Sequence, residues 1–209
     1  MKLMDNKLGQ FIVFEGLDGA GRSTQVELLC RALTADGYDI LSTKEPTVIS
    51  EPGKKIKQIL RGEIIAFPEE LQELFSQDRA WHLETMIEPH LRKSEKAIVV
   101  SDRYFFSSFA FGSACGAKLE WLFEINKDFL LPDMLFFVEV SPEICMKRIE
   151  SRGYVKELME RRELLEKVSV NYQNILKSFH DKTKIIIING EEPIETIAQK
   201  IYEKFSQNY

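Results

Sequence analysis

The stretch that decides the fold is FEGLDGAGRSTQ, Phe14 to Gln25. Within it, Gly16 to Ser23 matches the pattern G-x-x-x-x-G-K-[ST], except that Arg22 stands where the pattern has lysine. An apolar run, FIVF, precedes the glycines, and an amphipathic helical pattern follows them. A strand, a glycine-rich turn and a helix in this order present backbone N–H groups and a helix N-terminus to phosphate oxygens. We therefore predict a phosphate-binding loop; the alternative is a turn that binds no ligand.

Five short apolar runs predict the strands of a sheet. They are Phe11–Phe14, Asp39–Thr43, Ala97–Ser101, Met134–Val140 and Lys184–Asn189. Several are nearly continuous rather than alternating, which is typical of strands buried on both faces of a parallel sheet. Helical patterns lie between them, so we predict an α/β fold with a five-stranded parallel sheet and helices on both faces.

Three helical patterns are clear enough to place residues on one face. Their apolar positions are Val26, Leu29, Cys30 and Leu33 before Gly37; Leu71, Leu74 and Phe75 after Pro68; and Val168, Tyr172, Ile175 and Leu176. Glycine after a helix and proline at its first turn are usual stop and start signals. These patterns alternate with the strands along the chain, as an α/β fold requires.

Length and composition indicate one ordinary globular domain spanning residues 1–209. A net charge of -5 argues against a general nucleic-acid-binding protein. No apolar run is long enough to cross a membrane. Cys30, Cys115 and Cys145 show neither metal-site spacing nor a disulfide framework, which predicts a reducing, cytoplasmic location.

One charged segment interrupts the α/β pattern. It is Glu150–Arg162, ESRGYVKELMERR, which is rich in arginine and poor in apolar residues. A solvated helix or loop explains this composition. A short lid over a polyanion, within about residues 150–162, explains it equally, because arginine pairs well with phosphate.

A second motif, VVSDRY from Val99 to Tyr104, follows a predicted buried strand. It places Asp102 and Arg103 at the carboxyl end of that strand, the edge where ligands bind in open parallel sheets. The aspartate can hold a metal ion, directly or through water, or orient an acceptor. The arginine offers a planar pair of donors to a phosphate. The alternative is a surface ion pair at a strand end.

A third motif, ELFSQDRAWH from Glu73 to His82, places Phe75 and Arg79 one helical turn apart on the same face. The ring can stack on a base, and the cation can bind a carbonyl or a phosphate. The alternative is a core phenylalanine beside a solvated arginine. His82, His90 and His180 are scattered and indicate neither a metal site nor a catalytic triad.

With these motifs in order, the chain resembles the thymidylate kinases, which are P-loop nucleoside monophosphate kinases. The resemblance runs nearly end to end and rests on five further stretches, which are TKEPT at Thr43–Thr47, LFSQDRAWH, DRYFFSSFAF at Asp102–Phe111, LPDMLFFVEVSPEICMKRIESR, and ELME at Glu157–Glu160. It implies a P-loop NTPase fold, ATP and Mg²⁺ as cofactors, dTMP as the acceptor, and a homodimer.

The resemblance also implies roles for matching positions on the ATP side. The ATP-binding positions are Gly16, Leu17, Asp18, Gly19, Ala20, Gly21, Arg22, Ser23, Thr24 and Arg148. The implied catalytic residues are Arg22, Asp102 and Arg152, the last reaching ATP from the lid. The implied Mg²⁺ ligands are Ser23 and Asp102.

On the acceptor side, the resemblance implies that Asp18 meets the sugar 3'-hydroxyl and that Arg103 binds the acceptor phosphate. The base and sugar contacts it implies are Phe75 stacked on thymine, Arg79 at the base edge, Ser108 facing the base, and Phe111 against the deoxyribose. Together these contacts would select a pyrimidine deoxynucleotide.

The chain departs from the family pattern at several positions. Arg22 replaces the usual lysine, Gly112 stands where many bacterial members carry glutamine, and the lid has Leu158 and Met159 in place of a usual arginine-aromatic pair. Gly19 stands where one class has a catalytic arginine, and we expect its missing side chain to leave space for the larger head group of Arg22.

These departures leave two alternatives to an active dTMP kinase. The chain could be a P-loop phosphotransferase for another nucleotide or a nucleoside, for which Gly112 and Met159 leave room. It could also be a non-catalytic nucleotide-binding paralogue in which Arg22 has replaced the loop lysine. The retention of Asp18, Ser23, Asp102 and Arg103 argues against this alternative.

Overall fold

The predicted apolar runs form one parallel sheet in the computed structural model, which describes residues 7–151, 159 and 161–208. The strands in chain order are β1 (Gln10–Glu15), β2 (Asp39–Lys44), β3 (Ala97–Asp102), β4 (Met134–Glu139) and β5 (Lys184–Asn189). Their order across the sheet is β2-β3-β1-β4-β5, and every neighbouring pair is parallel. The prediction of a five-stranded parallel sheet is therefore confirmed.

Nine α-helices surround the sheet within the described residues. They are α1 (Arg22–Ala35), α2 (Glu51–Leu60), α3 (Pro68–His82), α4 (Glu88–Leu91), α5 (Phe105–Ala114), α6 (Leu119–Asn126), α7 (Pro142–Ser151), α8 (Arg162–Phe179) and α9 (Ile194–Ser206). A π-helical turn, Leu83–Ile87, joins α3 to α4. The three helical patterns seen in the sequence correspond to α1, α3 and α8, which bury those apolar faces wholly or in part.

The centre of the sheet is covered on both faces. All six residues of β3 are buried, and five of the six residues of β1 are buried. Because successive side chains of a strand point to opposite faces, this burial requires helices on both sides. Helix α1 packs against α9, and α5 packs against α8. Buried residues of the central strands and of these four helices belong to one hydrophobic cluster, so the core is continuous through the sheet.

The sheet topology brings three loops together at one edge. Strand β1 lies between β3 and β4, and its Phe14 is in register with Asp102 of β3. Lys44, the last residue of β2, is also in register with Asp102. The chain leaves β1 toward β2 on one side and later returns to β4 on the other, which creates the crevice where open α/β sheets bind ligands.

Two further sequence predictions concern the lid and membrane-spanning segments. Helix α7 ends at Ser151 and α8 begins at Arg162, so the predicted lid joins these two helices. Most of that lid, including Arg152 and Leu158, lies outside the described residues. Within the described residues, no helix combines the length and apolar character needed to span a membrane.

Candidate active site

The glycine-rich loop between β1 and α1 needs glycine because neighbouring backbone lies very close. Gly16 and Gly19 have φ angles of 146° and 85°, in the region that side chains disfavour. A Cβ on Gly16 would lie 2.6 Å from the carbonyl oxygen of Val138, and one on Gly19 would lie 2.6 Å from that of Cys145. The loop is therefore held tightly against β4 and α7, with its end at the N-terminus of α1.

The same contacts correct one expectation from the sequence. The atoms nearest to a Cβ on Gly19 all belong to Cys145, at the backbone of α7. A side chain at this position would collide with α7 rather than with the head group of Arg22. The expectation that Gly19 leaves space for Arg22 is therefore wrong, because the direction of a side chain depends on backbone angles that the sequence does not state.

Arg22 turns back onto the loop that carries it. Its Nη1 donates to the carbonyl oxygens of Gly16 and Leu17, at 2.6 Å and 2.5 Å. Its Nε donates to Oδ1 of Asp102 at 2.9 Å. Nη2 forms an ion pair with Oδ1 of Asp18 at 3.7 Å, a distance too long for a hydrogen bond. It donates no hydrogen bond to any described residue. The guanidinium thus braces the loop with one edge and keeps its Nη2 group for another acceptor.

Asp102 links the loop to β3. It accepts hydrogen bonds from Arg22 and from the hydroxyl of Ser23, the latter at 2.5 Å. Burial opposes ionisation of Asp102, but the charge of Arg22 and the Ser23 hydrogen bond outweigh it, so the pKa of Asp102 falls below its ordinary value. The carboxylate is therefore charged at neutral pH.

Ser23 and Asp102 are suitable oxygen ligands for Mg²⁺. No group of three or more acidic, histidine or cysteine side chains among the described residues could hold a metal ion. Mg²⁺ is commonly bound by one or two protein oxygens together with substrate phosphates and water, so the Ser23–Asp102 pair fits this ion. The paired oxygens lie at the N-terminus of α1, where phosphates are expected.

Arg103 has an unusual backbone conformation that directs it into the cavity. Its φ angle is 77°, which is rare for a residue with a side chain and clusters at functional sites. The guanidinium donates to Asp18 and to Ser107, each at 2.6 Å. It also lies over the ring of Phe111, 4.9 Å from the ring centroid. The structure thus brings together three residues predicted to bind the acceptor: Asp18, Arg103 and Phe111.

Glu15 supports this arrangement from beneath. The carboxylate is fully buried and accepts hydrogen bonds from the backbone N–H and hydroxyl of Ser107, the N–H of Tyr104 and the hydroxyl of Tyr172. Burial raises the pKa of Glu15, although Arg103 and these donors oppose the shift. The sequence interpretation missed Glu15; the available signal was an acidic residue ending an otherwise apolar strand.

Arg79 is the centre of a second buried network. Its side chain is 1% exposed, so the alternative of a solvated arginine is wrong. It donates to Glu45 at 2.8 Å, to Asn126 at 2.5 Å and to Ser108 at 3.2 Å. Glu45 belongs to the TKEPT motif, so the sequence indicated that this residue has a role. Nothing in the sequence indicated that Asn126 is a partner of Arg79.

One cavity of about 200 Å³ joins the two networks. Its charged lining residues are Asp18, Arg22, Lys44, Glu45, Lys57, Arg79, Asp102 and Arg103. Phe75, Ser108, Phe111 and Met159 also line it. All the predicted acceptor-binding residues therefore meet in a single cavity, with an excess of positive charge that suits an anionic ligand.

Arg148 lies behind the glycine-rich loop, outside this cavity. It belongs to α7, and its guanidinium donates to the carbonyl oxygens of Ala20 and Gly190, at 3.3 Å and 3.0 Å. These bonds tie the loop to the segment after β5. The position is adjacent to the predicted ATP side, whereas Arg152 falls outside the described residues.

The glycine-rich loop, the paired Ser23 and Asp102, and the cationic cavity occur together in a known family. The family model described as "Thymidylate kinase" matches residues 14–201. The chain belongs to the thymidylate kinase family. This confirms the resemblance seen in the sequence, and the matched span runs from the end of β1 into α9.

Individual members of the thymidylate kinase family align over almost the whole chain. The "Probable thymidylate kinase" of Thermococcus kodakarensis is 38% identical over 201 residues, covering 91% of this chain and 94% of that protein. The "Thymidylate kinase" of Leptospira interrogans is 35% identical over 207 residues, covering 98% of each chain. The family's fold and P-loop thus extend to this chain as a whole.

Proposed function

We propose that this thymidylate kinase family member transfers the γ-phosphoryl group of ATP to the phosphate of dTMP, forming dTDP. The observation that carries the proposal is that residues of the glycine-rich loop, Asp18 and Arg22, line the same cavity as the predicted base-binding residues, and that Arg103 of this cavity donates to Asp18. A nucleoside monophosphate has a base at one end and an anion at the other. The cavity provides matching groups for both ends.

At the acceptor's anionic end, Arg103 and Lys44 supply positive charge. Arg103 is pre-oriented by its bonds to Asp18 and Ser107, while Lys44 ends β2 at the cavity wall. Asp18 is charged, since Arg103 and Arg22 overcome the effect of burial and lower its pKa. We assign Asp18 to the 3'-hydroxyl, which donates a hydrogen bond to it, and Phe111 to the face of the deoxyribose.

At the base end, we assign Phe75 to stacking on thymine and Arg79 and Ser108 to its carbonyl edge. Arg79 is held by Glu45 and Asn126, so its position is set before the base arrives. Such preorganisation reduces the ordering cost of binding. A pyrimidine with carbonyl groups suits donors fixed in this way.

On the donor side, the loop N–H groups and the N-terminus of α1 bind the phosphates of ATP. Ser23 and Asp102 would hold Mg²⁺, which neutralises charge on the β- and γ-phosphates when bound. Arg22 provides the cation of the missing lysine, through the Nη2 group that its loop bonds leave available. Phosphoryl transfer needs chiefly positioning and charge stabilisation, and these residues supply both.

The lid completes the proposal on the ATP side. Arg152 lies outside the described residues, so its catalytic role stays a prediction from the family resemblance. A closing lid excludes water, which would otherwise accept the phosphoryl group.

We also propose that the chain forms a homodimer, which sedimentation velocity tests directly.

A coupled assay with ATP and Mg²⁺ tests the function with a panel of acceptors: dTMP, dUMP, dCMP, dGMP, AMP and thymidine. We expect dTMP to be the best acceptor and dUMP to be a few-fold poorer, since burying one methyl group is worth about 0.8 kcal/mol. A purine monophosphate as best acceptor would contradict the base-site assignment. Preference for thymidine would identify a nucleoside kinase, and ATP binding without turnover would identify a non-catalytic paralogue.

A further inference from the structure

Gln72, a buried residue at the wall of the acceptor cavity, has a carboxamide oxygen with no described partner. Gln72, on α3, is 3% exposed and lines the cavity. Its Oε1 atom makes no hydrogen bond with any described residue. Leaving a buried acceptor unpaired costs about 1–3 kcal/mol, so such a group is expected to meet a donor when the cavity is filled.

The position of Gln72 on α3 directs it to the base end. Gln72, Phe75 and Arg79 follow one another at intervals of three and four residues, so they share one face of the helix. Arg79 directs its hydrogen bonds to Glu45, Asn126 and Ser108 and does not satisfy Gln72. A base stacked on Phe75 and bound by Arg79 therefore lies against the helix face that carries Gln72.

Gly112 explains why the chain can place a glutamine here. Gly112, on α5, lies opposite Gln72, and a Cβ on it would be 3.0 Å from Cδ of Gln72. Any larger residue at this position would compete with the carboxamide for space. The glutamine that many bacterial members carry at position 112 is replaced by glycine, and Gln72 of α3 occupies the adjoining space.

The chemistry of the acceptor identifies the donor. Thymine carries a single N–H on its pairing edge, N3–H, between two carbonyl groups. The 3'-hydroxyl is the other donor of the nucleoside, and Asp18 is assigned to it at the opposite end of the cavity. Arg79 and Ser108 offer donors to the carbonyl groups, and the unpaired Oε1 of Gln72 offers an acceptor to N3–H.

We infer that Gln72 is a specificity-determining residue whose Oε1 accepts the hydrogen bond of thymine N3–H. This inference rests on the proposed function and goes beyond it, because it names the group that recognises the imide of the base. A merely structural glutamine would instead have both polar ends paired within the protein, and removing it would lower stability.

The test compares Gln72→Met with Gln77→Met, using dTMP and its 3-methyl derivative as acceptors. Methionine has nearly the length of glutamine, and Gln77 is an exposed residue of the same helix. For Gln72→Met we expect kcat/KM for dTMP to fall about five- to tenfold through KM, with kcat nearly unchanged. The preference for dTMP over 3-methyl-dTMP, about tenfold or more in the parent, should fall at least about fivefold.

Stability of the unliganded protein provides the second readout. Because Gln72→Met removes an unpaired buried oxygen, its urea midpoint should stay level or rise, while the thermal shift produced by dTMP becomes smaller. An unchanged preference for dTMP over 3-methyl-dTMP overturns the inference. If the variant does not fold, equal use of the two acceptors by the parent overturns it.

The outcomes also separate the inference from the proposed function. A parent enzyme that does not phosphorylate dTMP overturns both. A parent that phosphorylates dTMP but discriminates equally well with Gln72→Met overturns the role of Gln72 alone. Gln77→Met should behave as the parent in every assay. If Gln77→Met lost as much preference for dTMP over 3-methyl-dTMP as Gln72→Met, the effect would come from α3 as a whole, which would contradict the inference.

Discussion

The two ends of the acceptor cavity use buried arginine in different ways. At the phosphate end, Arg22 and Arg103 pair with Asp102 and Asp18, whose carboxylates also border the cavity. In the proposed function, these ion pairs are exchanged for contacts with phosphates and Mg²⁺. At the base end, Arg79 is almost completely buried and is bound to residues of other elements. It forms part of the framework before any ligand enters.

This difference separates catalysis from architecture. A paired charge next to a cavity can be rehydrated when its partner is removed, so its loss is expected to affect chiefly the reaction. The carboxylate of Glu45 is only 2% exposed, so water reaches it far less readily, and removing the partner of such a buried charge typically costs several kcal/mol. The two ends should therefore respond differently to equivalent substitutions, and four predictions follow from the largest effect to the smallest.

Arg79→Met tests the framework at the base end. The substitution removes the arginine from the buried carboxylate of Glu45 and leaves only the His82 ring beside it among the described side chains, so we expect the free energy of unfolding to fall by about 3–5 kcal/mol. Urea denaturation measures it. Arg31→Met is the matched control, because Arg31 pairs with Glu27 on the exposed surface of α1, where such a pair is worth less than about 1 kcal/mol. Equal losses in the two variants would contradict the comparison.

Arg22→Ala tests the exchangeable cation at the phosphate end. We expect turnover to fall about 10²–10³-fold, equivalent to about 2.7–4 kcal/mol of transition-state stabilisation. ATP affinity should fall less than turnover, because the loop backbone still holds the phosphates. The loss of stability should be smaller than for Arg79→Met, since water in the cavity can reach Asp102.

Arg22→Lys is the matched variant for this prediction. Lysine keeps the charge but loses the planar pair of donors that bond Gly16 and Leu17, so we expect turnover within about tenfold of the parent. If Arg22→Ala turned over at the rate of the parent enzyme, Arg22 would make no contribution to catalysis. If the parent enzyme were inactive and Arg22→Lys restored phosphoryl transfer, the chain would be a non-catalytic paralogue whose loop lost activity when arginine replaced lysine.

Asp102→Asn tests the link between Arg22 and Ser23. The substitution removes the charge that pairs with Arg22 and the proposed Mg²⁺ ligand, so turnover should fall about a hundredfold, with the fold retained. Turnover measured over a range of Mg²⁺ concentrations checks this. Asp39→Asn, at the start of β2 and exposed, should leave turnover unchanged. Full activity of Asp102→Asn at saturating Mg²⁺ would reduce Asp102 to a structural strand-end residue.

The same contrast explains how much the sequence could predict. Strands, helices and the glycine-rich loop are local patterns, so their positions were recognisable, and Asp102 and Arg103 followed from their place at the carboxyl end of β3. The order of strands and the burial of Arg79 depend on distant contacts. Glu45 and Asn126 come from different segments, 34 and 47 residues from Arg79, and no short pattern joins them.

Side-chain direction was the second limit. Arg22 was visible as a departure from the family pattern, but its bonds to the carbonyls of Gly16 and Leu17 were not. The expectation about Gly19 failed for the same reason, since its φ angle and its contact with Cys145 decide where a side chain would point. A sequence identifies which residues meet more readily than which atoms of those residues are left unpaired.

The smallest expected effect concerns Glu15, which lies beneath the phosphate end. Because burial raises its pKa, the folded protein binds the Glu15 proton more tightly than the unfolded chain does. The free energy of unfolding therefore loses this contribution as pH rises from the unfolded pKa through the folded one. Glu15→Gln cannot titrate, so its stability minus that of the parent should increase across this interval. Urea denaturation at a series of pH values measures the difference, in which other titrating groups largely cancel.

Tyr172→Phe sharpens this prediction. The Tyr172 hydroxyl donates to Glu15 and lowers its pKa, so removing it should raise that pKa further and extend the loss of stability to higher pH. Two parallel stability curves for the parent and Glu15→Gln would instead mean that Glu15 keeps its ordinary pKa. In that case the hydrogen bonds from Ser107, Tyr104 and Tyr172 would fully offset the effect of burial on the pKa of Glu15. The Glu15 carboxylate would then be charged at neutral pH, as the carboxylate of Asp18 is.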